Sequence, residues 1–328
     1  MEQRKIGPLD VSALGLGCMS LSHAYGKPPP AGQAEALLLE ALDLGVTLFD
    51  TAALYGFGAN EELVGRVLGP HRDRIVLATK GGMTGIDGKR VIDGRPASLK
   101  RDCEASLRRL RTDVIDLYYL HRWDRQVPIE DSVGALAELV AEGKVRHIGL
   151  SEVSAGTLRK AHAVHPVVAV QTEYSLWTRN PEIGVLAACR EIGAALVAFS
   201  PIARGFLSAG LRDVDALEPG DIRRGMPRFQ GEHLAANLAL VDALAPLAEE
   251  AGCTRAQLAL AWLLAQGRDI VPIPGTTRPA HLRENVAAAG LRLDPGLLAR
   301  VGELVNQRTV SGPRYPAATQ AEIDTEEF

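Results

Sequence analysis

The chain has 328 residues, a formal net charge of −4 and a hydrophobic fraction of 46%. The length fits one large barrel or two ordinary domains, and the apolar fraction is ample for a sizeable buried core. Lysine and arginine are dispersed along the chain rather than gathered in one segment, which argues against a nucleic-acid partner.

The first residues, Met1–Pro8, lack the apolar stretch of a secretory signal, and no later apolar run reaches the roughly 18 residues that a membrane-spanning helix needs. The four cysteines (Cys18, Cys103, Cys189 and Cys253) lie far apart and form no Cys-x-x-Cys pair. This spacing favours free thiols in a reducing compartment over a disulfide or metal framework. We therefore expect a cytoplasmic protein with no metal site and no membrane partner.

Short β-rich runs alternate with amphipathic helical stretches along the whole chain. A predicted β-hairpin, Arg4–Ile6 with Asp10–Ser12, comes first. The predicted strands that follow are Gly15–Met19, Thr47–Asp50, Ile75–Thr79, Ile115–His121, Ile148–Ser151, Ala169–Tyr174, Ala194–Phe199 and Ile270–Pro274. The predicted helices between them lie near residues 33–44, 60–69, 98–110, 129–142, 154–163, 183–192, 254–266 and 279–288.

This alternation predicts an α/β fold with a parallel sheet covered by helices. Eight such units favour a single closed (β/α)8 TIM barrel, for which about 250 residues are typical; a doubly wound open sheet is the alternative. We assign residues 1–310 to the barrel, including the N-terminal hairpin, a long loop at 200–236 and two added helices near 238–251 and 295–307. Residues 311–328 are polar and acidic, and they predict a loosely ordered C-terminal tail.

Several motifs of known chemistry are incomplete in this sequence. Gly15-Leu16-Gly17 lacks the third glycine of a dinucleotide fingerprint, and Gly88-Lys89 is not preceded by the first glycine of a P-loop. The stretch 149–153 lacks the closing glycine of a nucleophile elbow, and no His-Glu-x-x-His occurs. The sequence therefore argues against ATPase, serine hydrolase and zinc protease chemistry.

Reactive side chains follow three successive predicted strands. Asp50 ends the second barrel strand and Tyr55 comes shortly after it, while Lys80 and His121 end the third and fourth. Because the carboxyl ends of barrel strands meet at one mouth, we expect these four side chains to form a cluster.

The chemistry of this cluster follows from its side chains. A tyrosine has a pKa of about 10, which a nearby ammonium such as that of Lys80 would lower. Asp50 would hold the lysine charged, and His121 could hydrogen-bond a substrate oxygen. The cluster therefore predicts a proton donor for an oxygen that is becoming an alkoxide.

These residues lie in segments that together resemble the aldo-keto reductase family, from residue 4 to about residue 305. The segments are Gly15–Cys18, Phe49–Gly56, Asn60–Gly65, Thr79–Lys80, Leu107–His121, Gly143–Ser151, Gln171–Ser175, Phe199–Gly205 and Ile273–Thr276 with Glu284–Asn285. The resemblance implies a barrel that binds extended NADPH, with Asp50, Tyr55, Lys80 and His121 catalytic and Tyr55 the general acid. Among subgroups, Ile273–Thr277 and Gly149–Glu152 are similar to the branch that contains pyridoxal reductases and plant ketone reductases.

The resemblance also implies cofactor contacts. Ser151 and Gln171 would bind the nicotinamide carboxamide, and Tyr174 would stack on the nicotinamide ring. The pyrophosphate loop would comprise Ser200, Pro201, Ile202, Arg204, Gly205 and Leu207. The adenosine-phosphate site would comprise Gly275, Thr276 and Thr277, with Arg278 and His281 nearby and Glu284 and Asn285 beside the adenine. The last site would open a helix, and helix N-termini favour anions.

Some positions depart from the family pattern. Glu152 stands where many members carry asparagine, so it can accept a hydrogen bond from the carboxamide but cannot donate one. Thr277 stands at the usual basic position, with Arg278 displaced by one, and His281 stands where many members carry arginine. A preference for NADPH over NADH is therefore a hypothesis.

A substrate cup is expected at the barrel mouth from loop residues that are apolar or aromatic, with Trp123 as a ring-stacking wall. These residues are Cys18, Met19, Tyr25, Phe57 and Trp123. We thus predict an NADPH-dependent oxidoreductase that reversibly reduces a small aldehyde or ketone to an alcohol. Two alternatives are a Schiff-base aldolase that uses Lys80 and a non-catalytic regulatory subunit that retains the cofactor site.

Overall fold

The computed structural model describes residues 1–86 and 89–328. Its strands are β1 (Gln3–Ile6), β2 (Leu9–Ser12), β3 (Leu16–Gly17), β4 (Leu48–Asp50), β5 (Val76–Gly81), β6 (Met83–Ile86), β7 (Lys89–Ile92), β8 (Ile115–Leu120), β9 (Val145–Ser151), β10 (Val167–Glu173), β11 (Ala195–Phe199) and β12 (Ile270–Pro272). Its helices are α1 (Ala31–Asp43), α2 (Ala59–Leu68), α3 (Pro96–Leu110), α4 (Ile129–Ala141), α5 (Ala155–Val164), α6 (Val185–Ile192), α7 (Gly231–Ala243), α8 (Ala245–Glu250), α9 (Arg255–Leu264), α10 (Pro279–Ala287), α11 (Pro295–Leu304) and α12 (Ala317–Gln320).

Eight strands form one parallel sheet in the order β3-β4-β5-β8-β9-β10-β11-β12. The backbone N–H groups of Gly15 and Gly17 donate to the carbonyls of Pro272 (2.9 Å) and Pro274 (3.3 Å), which joins the first strand to the last. Gly17 is required at this seam, because a Cβ there would lie 2.8 Å from the Ile273 carbonyl oxygen. The predicted (β/α)8 barrel and its eight strands are confirmed.

The N-terminal hairpin of β1 and β2 covers one end of the barrel interior. Ile6 and Val11 are buried in the same apolar cluster as Leu117 and Val197 of the barrel strands. The Arg4 guanidinium donates to the carbonyls of Leu264 (2.8 Å), the last residue of α9, and of Gly267 (2.7 Å), in the loop after it. The start of the chain is therefore fastened to its last barrel unit.

The helices begin where the sequence provides suitable caps. Ser154 accepts from the Thr157 N–H at the start of α5, and Thr254 and Gln257 form a reciprocal capping box at the start of α9. Pro246 lies at the start of α8, so the helix predicted at 238–251 is in fact two helices, α7 and α8. None of the described helices is long and apolar enough to cross a membrane.

Two regions differ from the sequence-based expectation. The hairpin of β6 and β7 was not predicted, because glycine and charged residues interrupt the alternation of apolar and polar residues there. The tail after residue 310 is packed against the barrel: Arg314, Tyr315 and Ile323 are each less than a tenth exposed. Buried ion pairs of Arg314 hold it there, which corrects the expectation of a loosely ordered tail.

Candidate active site

The four side chains at the strand ends form one buried cluster. The Lys80 ammonium donates to Asp50, to the Thr51 carbonyl oxygen (2.9 Å) and to the Tyr55 hydroxyl (3.4 Å). The His121 ring stands edge-on to the Tyr55 ring at a centroid distance of 6.0 Å. These contacts account for all three N–H groups of Lys80, and they orient the ammonium towards the phenol.

Local backbone geometry places Tyr55 in this cluster. The three residues after it, Gly56 (φ 58°), Phe57 (φ 53°) and Gly58 (φ 99°), all have left-handed backbone, which glycine tolerates at two of the three positions. The turn they form leads directly into α2. It leaves the Tyr55 side chain pointing back to Lys80, while the Phe57 ring lies over the β6–β7 hairpin at Gly85.

Burial and charge set the protonation of the cluster. Burial raises the pKa of the Tyr55 phenol above its usual value, and the Lys80 ammonium opposes part of that rise. Burial alone would lower the pKa of Lys80, but Asp50 and Tyr55 raise it above its usual value. Burial, together with Arg122 and Lys80, holds the pKa of His121 well below its usual range. The phenol is therefore protonated, the lysine charged and the imidazole neutral, although the net effect on Tyr55 is opposite to the lowering predicted from Lys80 alone.

The cluster opens onto a cleft of about 1500 Å³. Gln171 donates to the second oxygen of Asp50 (2.7 Å), and Ser151 accepts from Arg122 (3.1 Å), so both predicted carboxamide ligands lie beside the cluster. The Phe199 ring also lines this part of the cleft.

Two other residues expected near the nicotinamide lie outside the cleft. Tyr174 is buried on the far side of β10, where its hydroxyl donates to Glu182 (2.7 Å) and its ring packs against Trp262. The Glu152 carboxylate accepts from both Arg314 (2.6 Å) and the Glu173 backbone N–H (2.9 Å). Neither side chain faces the cleft, so their predicted cofactor contacts are corrected, and the aromatic residue that lines this part of the cleft is Phe199.

The loop after β11 forms another wall of the cleft. Ser200, Pro201, Ile202 and Gly205 line it as predicted, whereas Leu207 is buried in the core. Arg204 lines the cleft, but its guanidinium is bound to both oxygens of Glu173, each at 2.8 Å. We therefore assign Arg204 a role in fixing the loop rather than in binding a phosphate.

A third part of the cleft lies at the start of α10. It is lined by the predicted residues Gly275, Thr276, Thr277, Arg278, His281, Glu284 and Asn285. The Thr276 hydroxyl accepts from the Arg278 N–H (3.0 Å) and so shapes the helix entry. The exposed N–H groups of this first turn and the Arg278 side chain form a site suited to an anion.

The predicted substrate cup is only partly present. Met19 and Tyr25 line the cleft, and Cys18 is fully buried beneath it. Phe57 is 56% exposed on the hairpin side, and Trp123 donates to the Val127 carbonyl oxygen (2.8 Å) and packs on the helical layer. Phe57 and Trp123 therefore do not line the cleft, which corrects their assignment.

Further cleft residues were not identified from the sequence. The His23 ring stacks on the Tyr55 ring at a centroid distance of 6.1 Å, and Met83 belongs to the same buried apolar cluster as Tyr55. Arg122 and Arg90 bring two guanidinium groups to the mouth. The position of Arg122, next to His121 at a strand end, was a usable signal for the first of these.

A buried charge cluster of Glu152, Glu173, Arg204 and Arg314 lies behind the cleft. Arg314 donates to Glu173 through Nε (2.8 Å) and to Glu152 through Nη2 (2.6 Å), so it connects the tail to the ends of β9 and β10. Burial alone would raise the pKa of Glu173, but Arg204 and Arg314 hold it well below its usual range. Two carboxylates and two guanidinium groups thus balance one another.

The sequence profile described as the Aldo/keto reductase family matches residues 13–306. The chain therefore belongs to the aldo/keto reductase family, and it is an oxidoreductase of the kind that uses a nicotinamide cofactor.

Solved structures agree with this assignment. The glycerol dehydrogenase AKR11B4 from Gluconobacter oxydans is 30% identical, with a TM-score of 0.85, over 96% of this chain and 98% of that one. The holo form of the aldo-keto reductase AKR11C1 from Bacillus halodurans is 30% identical, with a TM-score of 0.77, over 93% and 97%. An aldo/keto reductase from Klebsiella pneumoniae in complex with NADP and acetate is 28% identical, with a TM-score of 0.69, over 94% and 95%.

Proposed function

We propose that this chain is an NADPH-dependent reductase that reversibly converts a small aldehyde or ketone to an alcohol, with Tyr55 as the proton donor. The observation that carries the proposal is the buried contact of the Tyr55 hydroxyl with the Lys80 ammonium, which is itself bound to Asp50. A protonated phenol beside a fixed cation is suited to give a proton to an oxygen that gains negative charge.

The cleft fits an extended dinucleotide. Its volume of about 1500 Å³ exceeds the roughly 300–1,000 Å³ of a pocket for a drug-sized ligand. Among the described residues, His121 Nδ1 and Ser20 Oγ are buried polar atoms without a hydrogen-bond partner, and both residues line the cleft. Ser151 and Gln171 would hold the carboxamide, and the start of α10 would hold the adenosine phosphate. When bound, NADPH supplies the hydride.

The protein's own residues would then orient the carbonyl and transfer the proton. His121, neutral at physiological pH, donates a hydrogen bond to the substrate carbonyl and orients it towards Tyr55. As the carbonyl oxygen gains charge, the Tyr55 hydroxyl donates its proton. The Lys80 ammonium stabilises the resulting phenolate, and Asp50 keeps the ammonium in place. In the reverse direction the phenolate accepts the proton from the alcohol.

Phe199 rather than Tyr174 is proposed as the ring that contacts the nicotinamide. Replacing Phe199 with leucine keeps apolar volume but removes the aromatic face, so we expect the Kd for NADPH to rise by about tenfold. Tyr174→Phe, which removes only the hydroxyl contact with Glu182, is the matched control and should leave the Kd unchanged. Fluorescence titration of both variants measures this, and a Kd that is unchanged in the leucine variant of Phe199 would refute the proposal.

The preference for NADPH is proposed to depend on the start of α10. Removing the Arg278 guanidinium in an Arg278→Ala variant should raise the KM for NADPH by about tenfold and leave that for NADH nearly unchanged, because only NADPH carries the additional phosphate. Steady-state kinetics with both cofactors give the answer. Equal kcat/KM values for the two cofactors in the wild-type protein would refute the preference.

The experiment that tests the function is a panel of aldehydes and ketones scored by NADPH consumption. Because one relative is a glycerol dehydrogenase and the sequence is similar to pyridoxal reductases, the panel includes pyridoxal, and glycerol with NADP+ for the reverse direction. Absence of turnover with every compound, together with tight NADPH binding, would instead support a regulatory subunit. The aldolase alternative is disfavoured, because a raised pKa at Lys80 opposes Schiff-base formation.

The location and branch remain part of the proposal. Cys18, Cys103, Cys189 and Cys253 are all free thiols, which supports a reducing compartment such as the cytoplasm. Membership of the branch with pyridoxal and plant ketone reductases stays a prediction, with a small carbonyl compound as the expected partner.

A further inference from the structure

The Arg122 guanidinium lies beside the candidate catalytic cluster and has no ion-pair partner among the described residues. Its Nη1 donates to the His121 carbonyl oxygen (2.7 Å) and to the Ser151 hydroxyl (3.1 Å), both neutral acceptors. A guanidinium has five N–H groups, so Nε and Nη2 retain three. Within the described parts of the chain, no hydrogen-bond acceptor is found for these three and no carboxylate lies within 4.0 Å of Arg122.

The other cation at this mouth is already neutralised. Arg90, on β7, is bound by both oxygens of Glu322 at 2.6 and 2.5 Å, and Glu322 belongs to the tail. Lys80 is likewise paired with Asp50. Arg122 therefore differs from these two neighbours: it lines the cleft, and no described carboxylate forms an ion pair with it, although its charge also acts on the Glu152 carboxylate that Arg314 already binds.

The contacts of Arg122 also fix where the free edge of its guanidinium lies. The two Nη1 bonds fasten one side of the group to His121, the residue that would orient the carbonyl, and to Ser151. The free Nε and Nη2 groups form a fork that matches the two oxygens of a carboxylate or phosphate.

We propose that Arg122 binds an anionic group carried by the substrate itself, a carboxylate or a phosphate ester on the same molecule as the carbonyl. This inference rests on the proposed reductase function and narrows its substrate class to oxo-acids or phosphorylated carbonyl compounds. Arg122 is then a specificity-determining residue that contacts the substrate away from the reacting carbon.

The test compares 4-formylbenzoate with 4-formylbenzamide, which has nearly the same shape and no charge. For each protein the measured quantity is kcat/KM for 4-formylbenzoate divided by kcat/KM for 4-formylbenzamide. When this ratio is compared between proteins, the intrinsic reactivity of each aldehyde cancels. In Arg122→Met this ratio is expected to fall by about ten- to a hundredfold, the range for loss of a charge-assisted hydrogen bond. In Arg122→Lys the ratio should fall less, since lysine keeps the positive charge but lacks the two-pronged donor geometry of the guanidinium.

Two further variants sharpen the result. Arg108→Met removes an exposed arginine on the outer helix α3 and should leave the ratio unchanged. Glu322→Gln removes the partner of Arg90 and should raise the ratio, because a second cation at the mouth is then unpaired. A parallel measurement with 4-formylphenyl phosphate decides between phosphate esters and carboxylates. The preferred group is the one whose kcat/KM decreases more in Arg122→Met.

The outcomes separate this inference from the proposed function. If wild type reduces both aldehydes and Arg122→Met leaves the ratio unchanged, the inference is wrong and the reductase function stands. A weaker affinity for NADPH with an unchanged ratio would overturn it in the same way, by assigning Arg122 to the cofactor. If no aldehyde is reduced, both fail. Should Arg122→Met not fold, Arg122→Lys tests the fork alone, and a ratio equal to that of wild type would then contradict the inference.

Discussion

A Tyr55→Phe variant is expected to lose carbonyl reduction by about 100- to 10,000-fold in kcat, the usual contribution of a general acid. The substitution removes the hydroxyl that contacts Lys80 (3.4 Å) and leaves the ring that packs against Met83 and His23. Because the phenol would act on the substrate oxygen and not on the dinucleotide, the Kd for NADPH should be retained. Stopped-flow reduction with saturating NADPH separates the chemical step from binding.

The pH dependence gives an independent check on Tyr55. Burial raises the pKa of Tyr55, so the phenol stays protonated through the neutral range and reduction should not decline there on its account. Alcohol oxidation needs the phenolate, so its rate should increase with pH towards and beyond the usual tyrosine pKa of about 10. Tyr174→Phe, which alters a residue outside the cleft, should keep both pH profiles.

A Tyr55→Phe variant with most of its wild-type turnover would refute the assigned mechanism.

An Arg314→Met variant is expected to lower the free energy of unfolding by about 3–5 kcal/mol. Arg314 is the shared partner of Glu152 and Glu173, and its removal leaves the buried Glu152 without an ion-pair partner among the described residues. Glu173 retains only Arg204. Urea unfolding at neutral pH measures the loss, with Arg159→Met as the matched control: the exposed Arg159–Glu191 pair should contribute less than about 1 kcal/mol.

The sign of the pH effect follows from the lowered pKa values of Glu152 and Glu173. A carboxylate with a lowered pKa in the folded state stabilises the protein above its unfolded pKa of about 4.3, and this contribution is lost as the pH falls through the folded value. The difference between wild type and Arg314→Met should therefore shrink as the solution is acidified below that range. Equal losses in Arg314→Met and Arg159→Met at neutral pH would show that the tail is not anchored by these ion pairs.

The barrel and the clustering of the four candidate catalytic side chains could be predicted because both depend on local patterns. Each buried strand is a short apolar run, and Asp50, Lys80 and His121 are placed by the rule that the carboxyl ends of barrel strands meet. The same alternation of side chains could have corrected one error. Gln171 faces the cleft from β10, so Tyr174, an odd number of residues away, points to the opposite face. On β11, Val197 faces the barrel interior and Phe199 shares its side.

The tail could not be predicted in this way. The partners of Arg314 are 162 and 141 residues away along the chain, and no local pattern indicates which buried carboxylate a distant arginine will find. The polar composition after residue 310 is typical of a mobile segment, yet the Arg314 guanidinium and the side chains of Tyr315 and Ile323 are buried, and Asp324 binds Ser154 and Thr157 at the start of α5. The ion pair between Arg204 and Glu173 could not be predicted from the sequence for the same reason.

The seam between β3 and β12 bears on how the protein is made. Gly15 and Gly17 leave the ribosome well before their acceptors, Pro272 and Pro274, which lie far later in the chain. Until then the sheet has an open edge on each side, and open edges invite pairing with other chains. The nascent protein therefore carries an incomplete barrel until β12 has emerged and can pair with the segment of β3.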